Sequence, residues 1–74
     1  MPMITVKAIE GVFDAEQKQD IIRTLTDAMV AIEGESLRQF TWVIVEEVRS
    51  GSWGIAGDAL TTQAIKQLQA QPAH

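Results

Sequence analysis

The run Phe40–Val48 has a centre, Trp42-Val43-Ile44-Val45, that is apolar without alternation. A strand with one wet face alternates, whereas a strand apolar on both sides needs cover on both. A chain of 74 residues can hardly supply that cover alone. One face can meet the chain's own helix, but the other must meet something else, and a second copy is the natural candidate. Other small scaffolds stand on disulfides or metal. Here there is no cysteine, and the single histidine, His74, is the last residue. The sequence therefore predicts one domain over 1–74 that is completed by self-association, with about 70–74 as a flexible tail.

The rest of the chain supplies the partners of that strand. Met3–Ile9 alternates, with Ile4, Val6 and Ala8 on one side and Met3, Thr5, Lys7 and Ile9 on the other, which predicts a strand. Glu10-Gly11 ends it. Asp14 with Gln17 three residues on reads as a capping box. The helix that follows places Ile21, Ile22, Leu25, Ala28, Met29 and Ile32 on one stripe and stops near Gly34. A strand–helix–strand connection of this length favours a parallel crossover. Gly51, Gly54 and Gly57 then punctuate a segment expected to form a short hairpin. Thr61 or Thr62 is expected to cap a last helix reaching about Leu68, and Pro72 to His74 reads as tail. The predicted class is α/β: a β-α-β protomer with a C-terminal hairpin, oligomeric.

The net charge of −4 argues against nucleic acid or an anionic membrane as partner. The six basic residues form no run, and no apolar stretch is long enough to span a bilayer. Met1–Lys7 also lacks the order of a secretion signal. The expected location is the cytoplasm.

Chemistry has few candidates. There is no thiol, no phosphate-binding glycine loop and no zinc spacing. Glu46 and Glu47 are adjacent on a strand, so they point to opposite faces and read as a solvated strand end. Pro2 remains. A small second residue normally allows removal of the initiator methionine, which would make the Pro2 nitrogen a secondary amine. An α-amino group titrates near ~8, and burial lowers that value toward the range useful to a general base. Proline at position two is also common for processing alone.

The segments Met1–Gly11, Asp14-Ala15-Glu16-Gln17-Lys18, Val43–Glu47 and Ser52-Trp53-Gly54-Ile55-Ala56-Gly57 together resemble the 4-oxalocrotonate tautomerase family over roughly residues 2 to 60. The resemblance implies β-α-β protomers assembled into a hexamer, with active sites between protomers. It also implies cofactor-free keto–enol tautomerisation of small 2-hydroxy or enol acids, with the amino-terminal proline shuttling the proton. By that resemblance Pro2 is the base and Trp53 an aromatic pocket wall. The backbone N–H of Ile9 is then a substrate-orienting donor.

Two positions depart from the family pattern. Arginines of well-known members are replaced by Val12 and Trp42, so a dicarboxylate would lose its grips. Arg49 is the best substitute, Arg38 the second, and Arg23 reads as a solvated helix charge. The expected substrate is therefore an enol or 2-oxo acid less charged and more aromatic than the usual diacid, with Trp42 and Trp53 as an apolar wall. Two alternatives stay open: a hydratase, dehalogenase or decarboxylase using the same proline as an acid, and an oligomeric binding protein without turnover.

Overall fold

The computed structural model describes residues 2–71, so the expectations for Met1 and for Pro72 to His74 lie outside the described residues. The order is β1 (Met3–Ile9), α1 (Ala15–Glu33), β2 (Trp42–Val48), β3 (Trp53–Ile55), β4 (Asp58–Leu60) and α2 (Thr62–Gln69). β1 and β2 pair in parallel over their whole length, Met3 opposite Trp42 and Ile9 opposite Val48. β3 and β4 form the expected antiparallel hairpin. Its tip places Ala56 at φ 53 and Gly57 at φ 87, the left-handed pair that a tight hairpin turn demands.

Local rules account for the helix ends. The Asp14 carboxylate accepts from the Gln17 N–H at 2.8 Å, and the Gln17 side chain accepts from the Asp14 N–H at 3.0 Å. That reciprocal box starts α1. Gly34 ends it at φ 107 and ψ 149, an extended left-sided conformation rather than the helical left-handed one. Thr61 rather than Thr62 caps α2, its hydroxyl accepting from the Ala64 N–H at 3.2 Å.

Three expectations need correction. β2 begins at Trp42, not Phe40, because Glu35–Phe40 winds into a 3-10 helix and Thr41 is its C-cap. The helical stripe is rotated: Val30 is the buried residue of α1, while Ile32 is 84% exposed. Glu47 is no simply solvated strand end. Its carboxylate accepts from the Gly11 N–H at 3.2 Å and pairs with the Lys18 ammonium. It thereby clasps the loop after β1 to the first turn of α1. The Lys18 and Gly11 donors hold its carboxyl below the usual range. The clasp is therefore complete at neutral pH and loosens only as pH falls through that depressed value.

The core of one chain is unfinished. Among the described residues only Ile9 and Val30 are buried and apolar, and Met3 and Trp42 are 62% and 59% exposed. They share a pleat face with Thr5 and Ile44 (the face opposite Ile4, Val6, Val43 and Val45). The accessible surface is 5551 Å², about 1,000 Å² above the roughly 4,500 Å² expected for a compact monomer of this mass. That excess is on the scale of one partner's share of a stable interface, about 800 Å². The radius of gyration of 15.0 Å likewise exceeds the roughly 11 Å of a compact chain this long.

Candidate active site

The C-terminal arm, β3, β4 and α2, is tied to the end of the β1–β2 ladder by a small polar knot. The Ser50 N–H donates to the Glu10 carboxylate at 3.1 Å, and the Thr62 N–H donates to the Ser50 hydroxyl at 2.9 Å. The Thr62 hydroxyl donates in turn to the Glu10 carbonyl. Gly11, at φ 79, lets Thr62 come this close: a Cβ there would stand 3.1 Å from the Thr62 methyl. The glycine that reads as a strand breaker is thus also a docking position for α2.

Between ladder end and arm lies an open groove of about 320 Å³. Ile9, Val12 and Phe13 line one side, and Trp53, Leu60 and Ile65 line the other. Val12 and Trp53 both line this groove. Phe13, Leu60 and Ile65 were not expected. Their signal is apolar side chains in otherwise polar or turn-rich segments, and it becomes readable only once the arm is known to fold back. Among the described residues the lining holds no carboxylate, thiol or imidazole, and Lys7 is its one titratable side chain.

Pro2 is elsewhere. It lies half-buried at the other end of β1, where its carbonyl accepts from the Trp42 N–H at 3.0 Å. Seven residue steps of about 3.3 Å separate it from Ile9, so the two ends stand roughly 23 Å apart. The chain therefore groups the expected residues in two sets, Pro2 with Trp42 at one end and Ile9 with Trp53 at the other. An apolar wall of Trp42 and Trp53 does not form within one protomer, because the length of β2 intervenes. Arg49 follows Val48 at the Ile9 end, but its side chain is not part of the groove lining.

The other arginines are engaged. Arg38 bonds Asp27 at 2.7 Å and Glu35 at 2.6 Å, contacts that raise its own pKa and lower that of Glu35. Arg23 pairs with Asp20 on the solvated face of α1. Among the described residues, Lys7, Arg49 and Lys66 have no carboxylate at ion-pair distance.

Comparison with known proteins matches this geometry to one family. The family profile described as tautomerase enzyme matches residues 2–63. The 2-hydroxymuconate tautomerase of Bacillus subtilis is 36% identical over 61 residues, 82% of this chain and 95% of that protein. The crystal structure of an apo unfused 4-OT superposes with a TM-score of 0.70 at 28% identity, covering 86% of this chain and 98% of that one. DmpI from Helicobacter pylori gives a TM-score of 0.68 at 27% identity, over 95% of this chain and all of the other. No helix among the described residues is long and apolar enough to cross a membrane.

Proposed function

The chain belongs to the 4-oxalocrotonate tautomerase family, and from that premise we propose that Pro2 is the proton shuttle of a cofactor-free, cytoplasmic homo-oligomer. That the chain is a tautomerase, and so an isomerase, follows from the family itself. The finer reading concerns its substrate and its mechanism. One observation carries it: an apolar groove stands ready for a small organic acid, and among the described residues its lining offers no carboxylate or imidazole to act as base.

In the proposed site, one copy supplies the groove with Ile9, Trp53 and the neighbouring Arg49, and another copy supplies Pro2 and Trp42. The Pro2 amine, freed by removal of Met1, takes a proton from the enol hydroxyl of a 2-hydroxy acid and returns one to carbon. The bond of its carbonyl to Trp42 holds the ring, so the nitrogen stays oriented. Apolar surroundings disfavour the ammonium and keep the amine basic near neutral pH. The N–H of Ile9 orients substrate and Trp53 packs on its body, while Arg49 stands beside the groove without lining it.

Assembly is part of the proposal, most simply as a hexamer. The open face bearing Met3, Thr5, Trp42 and Ile44 is the surface that a second copy covers. Sedimentation at micromolar concentration is expected to show a stable oligomer, and a folded monomer there would leave the site without its base.

Substrate choice follows from the missing arginines. With Val12 in the groove and Trp42 beside Pro2, a second carboxylate would be desolvated without a partner, while an aromatic ring gains from apolar walls. The enol of phenylpyruvate is expected to show a higher kcat/KM than 2-hydroxymuconate. A clear preference for the diacid would overturn this reading of the substrate.

A further inference from the structure

We propose that the groove is a recognition site for a single carboxylate, in which Lys7 and Gln69 hold the acid group of a ligand whose apolar body lies against Trp53 and Ile65. The 2-oxo part of the substrate class rests on the tautomerase reading above, but the carboxylate anchor does not.

Four observations point the same way. Lys7 and Gln69 are the polar side chains of an otherwise apolar lining. Lys7 lies two residues before Ile9 on the same pleat face, so its aliphatic stem follows the groove and its ammonium reaches the rim. Among the described residues no carboxylate sits at ion-pair distance from Lys7, not even Glu46, its register partner across the ladder. Lys18, Arg23 and Arg38 are already paired, and neither Arg49 nor Lys66 lines the groove.

The opposite rim is equally defined. Gln69 ends α2, a helix lying almost wholly beyond the segment 2–63 that matches the family. Capped by Thr61 and tied through Thr62 to Ser50 and Glu10, α2 is a fixed wall rather than a loose end. Its amide supplies a donor that does not titrate. The volume of about 320 Å³ sits at the small end of ligand pockets, about 300 Å³. One cation and no carboxylate in the lining select a monoacid, since a second buried carboxylate would find no partner. Lys7 is here a binding and specificity residue.

The test uses ligands that cannot enolise, so that it is independent of Pro2. Binding of 3-phenylpropanoate and of 3-phenylpropan-1-ol to the assembled protein is measured by calorimetry. The wild type is expected to prefer the acid about 10-fold, the scale of a hydrogen bond to a charged group. Lys7→Met erases that preference by weakening the acid while leaving the alcohol, and Lys7→Arg retains it. Gln69→Leu weakens the acid about threefold, within the net range of a single hydrogen bond. The proposal is overturned if the wild type shows no acid preference, if Lys7→Met keeps it, or if Arg49→Ala alone removes it. A wild type that prefers the acid through Lys7 yet turns over no enol would sink the catalytic reading and leave this one standing.

Discussion

Pro2→Ala is expected to lower turnover of an enol acid by about 10²-fold or more, the usual contribution of a positioned acid–base group. Alanine leaves a primary amine in roughly the same place, but without the ring that fixes the nitrogen. Folding and assembly should be almost unchanged, because Pro2 precedes β1 and its contact with Trp42 runs through the carbonyl, which alanine retains. The pH profile of kcat/KM should show an acidic limb with an apparent pKa below the ~8 of a free amine. Below that value the nitrogen is protonated and activity falls. Above it the base is free and activity levels off. Retention of Met1 should silence the enzyme more completely than alanine does, because an acylated nitrogen has no basic lone pair. Equal turnover by processed and Met1-retaining protein would remove Pro2 from the mechanism.

Mixing two crippled variants should restore activity, the second large effect. Pro2→Ala oligomers lack the base at every site. Trp53→Ala oligomers lack the aromatic wall at every site, at an expected cost of about 10-fold or more for a central aromatic anchor. If each site joins Pro2 of one copy to Trp53 of another, random reassembly of equal amounts regenerates about a quarter of the sites with both residues intact, as follows from a closed symmetric assembly. If both residues came from one copy, no intact site could form. The ~23 Å between the two ends of the ladder favours the first outcome. Activity of the mixture no higher than the mean of the two parents would mean that these residues do not meet in a site between copies.

The features legible in the sequence were those set by neighbours in the chain. The alternation of Met3–Ile9, the Asp14–Gln17 box, the glycine-marked hairpin and the threonine cap of α2 each depend on a few adjacent residues. Phe40 misled because an apolar residue beside Trp42 extends a strand pattern, although Glu35–Phe40 closes into a 3-10 turn. Ile32 misled because the face that α1 buries depends on where the sheet lies, and that is a tertiary fact. The Glu47 clasp joins positions 29 and 36 residues apart, so no local rule announces it. The proposed division of the site between copies is what the family resemblance implies. A strand reaching from Met3 to Ile9 already places its two ends too far apart for one small substrate to touch both.

In the proposed assembly, the parallel ladder that separates Pro2 from the groove also links catalysis to the abundance of the protein. A reaction centre that exists only between copies gives a specific activity that varies with protein concentration, because mass action governs how many centres are present. Well above the dissociation constant of assembly, output follows the amount of protein in proportion. Below it, output falls more steeply than the amount of protein, and newly made chains stay inert until they meet. A small change in synthesis or degradation near that threshold would therefore act as a gate on metabolic flux, with no effector and no second binding site.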